Sequence, residues 1–253
     1  MRMNIIIQGI LVKRASREGY SSFDLCRSIF KYYPSAKVIW TAWTWEEAEP
    51  YLSLMAQYDT LQVHFINDPG SIVMNGETYN ISRIVKSVCN SLTYCDNDAL
   101  VLKLRSDMAL NRALPVLSKY WVGRYYSPII LSARSINVYQ NGISDCIHFG
   151  KLDTMKEVWY GVDLMESFVY PEQLLGNSVL RVFNIKSIRS LYDHLYFPSQ
   201  EELYYEYPPR FLRRSYMNFE FHKTVKYIGL RLSFVYICGF VLWLIRKSLG
   251  KTY

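Results

Sequence analysis

Cysteine is sparse and ungrouped in this sequence. The five thiols, Cys26, Cys89, Cys95, Cys146 and Cys238, include no C-x-x-C pair, which excludes a cysteine-built zinc site. Their odd number suits a reducing compartment better than a secreted disulfide framework. The four histidines lack metal-ligand spacing, so a His-based metal site is not expected either. There is no internal repeat and no low-complexity tract. The apolar run at residues 5–7 is too short for a secretory signal and is expected to enter a strand at once.

What is present is a folding sequence. Of 253 residues, 50% are hydrophobic and 20% charged, which excludes wholesale disorder. The chain is long enough for one large domain or two small ones. Lys and Arg exceed Asp and Glu by 29 − 22 = 7. A surplus of that size points to an anionic partner: nucleic acid, a nucleotide phosphate or an anionic membrane.

Short apolar runs alternate with helical patterns. Strands are expected at 5–7, 38–40, 61–66 and 99–104. Helices are expected at 22–33, stopped by Pro34; at 47–58, with Pro50 in the first turn; and at 80–92, where Ile81, Ile84, Val85, Val88 and Leu92 share a face. Asn67-Asp68-Pro69-Gly70 and Asn75-Gly76 are turn signals. This order predicts an α/β domain with a mostly parallel sheet. Ligands of such sheets bind outside the carboxyl ends of the strands. Gln8, Thr41, Asp68 and Asp107 follow strands and are the first candidates.

The fourth expected strand carries the most information, as Leu100-Val101-Leu102-Lys103-Leu104-Arg105-Ser106-Asp107. Alternation puts Leu102 and Leu104 on one face and Lys103, Arg105 and Asp107 on the other. Two cations on a central strand require a carboxylate, a phosphate or water at its end. A nucleotide diphosphate meets that need, and Asp107 could hold a divalent cation against it or bond the sugar. The bland alternative is an edge strand with a surface ion pair. Arg83, one turn into a helix after Asn80, calls for a nearby anion, because helix N-termini favour negative charge. Asp68 could bind ribose hydroxyls or stabilise its own turn, and Gln8-Gly9 could receive a base or ribose or form a plain turn. His148, between Ile147 and Phe149, reads as a core histidine.

A set of short motifs occurs in order: Gln8-Gly9, Phe30 to Pro34 before Ala36-Lys37-Val38-Ile39, Asn67-Asp68-Pro69-Gly70, Asn80-x-x-Arg83, Leu102 to Asp107, Ile143 to Gly150, and Pro171-Glu172-Gln173. Over residues 1–182 this order resembles the WavE family of lipopolysaccharide-synthesis, glycosyltransferase-like bacterial proteins. The resemblance implies a GT-A-like fold. It also implies transfer of a sugar from a nucleotide sugar, a UDP-sugar foremost, to a lipid-linked or polysaccharide acceptor such as lipopolysaccharide, O-antigen or capsule. Gln8, Gly9, Asp68, Arg83, Lys103, Arg105 and Asp107 would then bind the donor. Asp107 matches the second carboxylate of a metal-binding Asp-x-Asp motif, which would hold Mn²⁺ or Mg²⁺. Arg105 stands where the first carboxylate would be, so fixed cations (Arg105, Lys103 or Arg83) could neutralise the leaving diphosphate instead. Asp145 or Glu172 would take the acceptor proton or orient the acceptor, with Asp145 favoured; Glu172 also reads as a plain first-turn acid.

Three regions follow from composition: a catalytic domain at 1–190, a Tyr-, Pro- and Arg-rich extension at 191–226, and a C-terminal helix at 227–253. Residues 228–245 carry one charge, Arg231, and Arg246, Lys247 and Lys251 follow. This stretch is short for a span and suits a helix lying in the membrane interface. With Arg210, Arg213 and Arg214 it would hold the chain on anionic lipid, at the cytoplasmic face of a bacterial inner membrane. A non-catalytic membrane scaffold is the alternative. Nucleic-acid binding ranks last, because the basic residues are dispersed and no recognition motif is present. Deleting residues 227–253 should abolish partition onto anionic liposomes in a flotation assay; unchanged partition would refute the membrane role.

Overall fold

The computed structural model describes residues 3–15, 20–74, 76–110, 129–130, 136–137, 142–143, 145, 147–168, 172–186 and 205–206. The extension and tail expected at 191–226 and 227–253 lie outside the described residues, except that Tyr205–Glu206 forms a short strand. Among the described residues no helix is long and apolar enough to cross a membrane.

The N-terminal part follows the expected alternation. Strand β1 (Met3–Gln8) leads to helix α1 (Ser22–Tyr32), β2 (Lys37–Trp43), α2 (Glu49–Gln57) and β3 (Leu61–Ile66). A hairpin of β4 (Ile72–Met74) and β5 (Glu77–Tyr79) intervenes before α3 (Ile81–Thr93) and β6 (Leu100–Arg105). Gly76, at φ +80, makes its turn. The turn signal there was legible, but its three-residue strands were too short to register as a period. β6 is thus the fourth strand expected from the sequence. Short strands β7 (Ala109–Leu110), β8 (Ile129–Ile130), β9 (Ile136–Asn137) and β10 (Gly142–Ile143) precede β11 (His148–Lys151). Helices α4 (Leu152–Tyr160) and α5 (Glu172–Val182) follow, and Tyr205–Glu206, β12, pairs with β7.

The main sheet runs β3-β2-β1-β6-β11-β8. The first four strands are parallel, and β11 joins antiparallel to β6 and β8. The inner strands β2, β1 and β6 are buried on both faces, and alternation decides which residue serves which. Ile5, Ile7, Trp40, Leu102 and Leu104 pack with Leu25 and Ile29 of α1 and Leu54 of α2. Ile6, Ile39 and Val101 pack with Val85 and Val88 of α3, Met155 and Trp159 of α4, and Leu174 and Val179 of α5. Full burial of an aliphatic side chain such as Ile5 or Ile6 contributes about 1.5–3 kcal/mol.

The helices begin and end for local reasons. Ser21 caps α1, its hydroxyl accepting from the Asp24 amide at 3.2 Å. Pro50 sits in the first turn of α2, where its missing N–H has no helical partner to lose.

Strand order reverses at β1. The chain steps outward through β2 and β3, then returns to the other side of β1 as β6. The carboxyl ends of β1 and β6 therefore flank a topological switch point, where open α/β sheets bind ligands. One backbone bond and one side-chain bond tie that point together: the Ser106 amide donates to the Gln8 carbonyl at 2.9 Å, and Trp40 Nε1 donates to the Gly9 carbonyl at 2.8 Å. Gly9 has φ +117, and a Cβ there would lie 2.5 Å from Ser106 Oγ. Gly9→Ala should therefore lower stability by about 1–3 kcal/mol in urea unfolding. Adding Ser106→Ala should recover only the steric share. No loss of stability in Gly9→Ala would refute the strain.

Candidate functional site

The charged residues of β6 occupy the predicted face of a central strand. Lys103 is fully buried, and its ammonium donates to the backbone carbonyl of Asp145. The same ammonium lies 3.8 Å from Asp145 Oδ2 and 5.6 Å from the centroid of the Trp159 ring. Arg105 grips Asp107 with two bonds, Nε to Oδ1 at 3.0 Å and Nη2 to Oδ2 at 2.8 Å, and its Nη1 lies 3.7 Å from Asp145 Oδ1. The edge-strand alternative fails, because β6 lies between β1 and β11. The required counter-charge is supplied by the chain's own carboxylates, Asp107 and Asp145.

Asp145 sits two residues past β10, and α5, which Glu172 opens, packs against β10. Both expected catalytic carboxylates are thus carried by one local assembly. Burial pushes the Asp145 carboxyl up, but Lys103, Arg105 and His148 together hold it below the ordinary carboxylate range. It is ionised at neutral pH and is a weak proton acceptor, since general bases work best with pKa near the operating pH. This environment suits a carboxylate that anchors cations. Its Oδ2 is buried with no hydrogen bond among the described residues. The same holds for Oε1 of Gln8, whose backbone is in register with Arg105. His148 is fully buried opposite Lys103, with its ring 5.2 Å from that of Trp159, the core position expected of it.

Asp68 and Arg83 come together at the carboxyl end of β3. Arg83 Nε donates to Asp68 Oδ1 at 2.8 Å and Nη2 to Oδ2 at 2.6 Å. The Gly70 amide donates to Asp68 Oδ1 and Trp45 Nε1 to Oδ2, each at 2.9 Å. The anion that Arg83 called for is therefore Asp68, and Asp68 does stabilise its own turn. Arg83's hydrogen bonds hold the Asp68 carboxyl well below the ordinary range. Asn80 precedes α3, but its side chain does not cap it. Instead its Oδ1 accepts from Arg83 at 3.0 Å and Ser71 at 2.9 Å.

The expected divalent cation meets a poor donor set. Among the described residues no group of three His, Cys, Asp or Glu side chains could hold a metal. Both oxygens of Asp107 are bonded by Arg105, and Asp145 faces two cations. Among the described residues, the side chains around Asp107 do not make a metal site.

Sequence reading missed Glu46 and Trp45. Glu46 accepts from the Leu11 amide at 3.1 Å, the Trp43 amide at 2.9 Å and the Tyr51 hydroxyl at 2.6 Å, tying the loop after β1 to the turn after β2. Both residues lie in a turn with no Gly or Asn signal, and nothing in the pattern marks them.

No family model and no curated protein matches the sequence. Solved structures do. TarS of S. aureus matches with a TM-score of 0.50 at 13% identity, over 82% of this chain and 36% of that one. A mannosyltransferase from Pyrobaculum calidifontis, in complex with GDP-Man and Mn²⁺, gives 0.47 at 7% identity, over 79% of this chain and 55% of that one. The galactosyltransferase LgtC, in complex with donor and acceptor sugar analogs, gives 0.45 at 11%, over 70% of each. This chain therefore spans about a third of the length of TarS and just over half that of the mannosyltransferase. At these identities the likeness is one of fold: a GT-A-like, mostly parallel sheet flanked by helices.

The charge cluster has a pH signature. Asp145 lies below its unfolded value, so its stabilisation is complete above about pH 4 and is lost as pH falls through the folded value. Asp145→Asn should cost about 3 kcal/mol at neutral pH, because Lys103 loses its carboxylate. It should also flatten the acid side of the stability–pH curve. Unfolding curves for the two proteins that stay parallel into acid would refute this role.

Proposed function

We propose that this chain is a glycosyltransferase of the WavE-like kind that uses a nucleotide-sugar donor, a UDP-sugar foremost. The observation that carries the reading is the convergence of Gln8, Lys103, Arg105, Asp107 and Asp145 on the switch point between β1 and β6. Buried charges are expensive, and an apolar strand would close the sheet as well. Arg105, held at the carboxyl end of a central strand with Lys103 buried behind it, suits a ligand that carries phosphate.

In the proposed reaction an acceptor hydroxyl oxygen bonds to the donor's anomeric carbon. The bond from that carbon to the diphosphate oxygen breaks, and the leaving nucleoside diphosphate keeps the electron pair. Arg105, aimed by Asp107, neutralises the charge that develops there. Glu172 takes the acceptor proton, and Asp145, held ionised by Lys103 and Arg105, keeps those cations in place. The acceptor is proposed to be lipid-linked or polysaccharide, met at an anionic membrane surface through residues 227–253. The tie between Arg105 and Asp107 favours one other reading, a non-catalytic scaffold whose ion pairs are structural.

Calorimetry with UDP-, GDP-, CMP- and TDP-sugars decides between them. One donor should bind, and Asp107→Ala should weaken it at least about tenfold, or 1.4 kcal/mol. No binding by the wild-type chain would overturn the transferase reading. Tight oligonucleotide binding with a steep salt dependence would replace it.

A further inference from the structure

Trp45 lies in the turn after β2 at the same carboxyl edge of the sheet, and it is 57% exposed. Large aromatics at a surface are ordinarily free to turn, but this one is fixed. Its only polar atom, Nε1, donates to Asp68 Oδ2 at 2.9 Å. Asp68 is in turn clamped by Arg83 and the Gly70 amide. The indole is thus anchored by its edge while its ring stays in contact with solvent. Beside it, Glu46 bonds the Leu11 amide, which brings the loop carrying Ile10, itself 50% exposed, alongside the turn that carries Trp45. An anchored planar ring and an aliphatic neighbour therefore sit over the tips of β1 to β3, rimmed by the one-third-exposed guanidinium of Arg83.

We infer that Trp45 is the stacking platform for the nucleobase of the donor. This rests on the transferase reading above and names the part of the ligand that this end of the sheet takes. A flat base gains by stacking on a fixed ring whose orientation has no further entropy to lose. The neighbouring Arg83 guanidinium offers an N–H to the base edge, while the oxygens of Asp68 are taken by Arg83, the Gly70 amide and Trp45. Strand spacing puts the tip of β2 about 10 Å from that of β6, two strands away. An extended nucleoside diphosphate bridges such a gap, with its phosphates at Arg105. A pyranose also stacks on indole, but the donor's pyranose is bonded to the diphosphate at the reacting end, whereas the base lies at the other end of the nucleotide, two strand spacings away.

The test is calorimetry of the full chain with UDP, GDP, CDP and inorganic pyrophosphate, for wild type, Trp45→Ala and Trp45→Phe. Trp45→Ala should weaken the preferred nucleoside diphosphate at least about tenfold. Trp45→Phe, which keeps a ring and loses the N–H, should retain most of the affinity, and pyrophosphate binding should be unchanged in both. Nucleotide affinity unaffected by Trp45→Ala would overturn this inference alone. So would an equal loss for pyrophosphate, which would mean that Trp45 acts through the Asp68–Arg83 pair. Failure of the wild type to bind any nucleotide would overturn the transferase reading with it.

Discussion

The burial of Lys103 is the constraint on which the site depends. An ammonium with no solvent exposure in the middle of a sheet is tolerated only with a counter-charge at close range. That requirement brings the segment after β10 across the end of β6, so that Asp145 can offer both its carbonyl and its carboxylate. Asp145 then lies within reach of Arg105, which holds Asp107. One buried amine thereby organises two carboxylates and a guanidinium at the point where strand order reverses. Such a cluster is a poor way to stabilise a protein, since well-packed apolar residues serve as well or better. Its position at the switch point, where ligands of this sheet class bind, is what gives it functional weight.

The sequence made the framework legible because its signals are local. The patterns at 22–33 and 61–66, the turn at Asn67 to Gly70 and the first-turn Pro50 need no distant partner, and each element formed within a few residues of its expected bounds. The charged face of β6 was legible for the same reason, since alternation is a property of one strand. What supplied its counter-charge was not legible. Asp145 is far along the chain, and only the antiparallel return of β11 beside β6 carries its segment there. A phosphate and a carboxylate answer the same need, and the sequence alone does not choose. Asp68 and Arg83 were each expected to meet a ligand, yet the structure pairs them with each other, because a helix and the turn before it bring them together. Glu46 and Trp45 were invisible because their roles come from side-chain bonds between loops rather than from any period.

Electrostatic balance at the site sets what its chemistry can be. Lys103 and Arg105 face Asp107 and Asp145, so the four formal charges cancel. On the proposed reading, a diphosphate arriving there would not meet an empty cationic hole. It would have to share Arg105 with Asp107. Asp107 in this arrangement aims the guanidinium, much as a carboxylate behind a metal-bound histidine fixes its ring. Asp145 is held ionised by two cations and is ill suited to accept a proton. Of the two carboxylates, Glu172 is the one not held in this pair of cations. It opens α5, where a helix N-terminus favours negative charge. On the proposed transferase reading, such a site would act chiefly by neutralising the departing diphosphate, which preoriented cations in a partly buried setting do well.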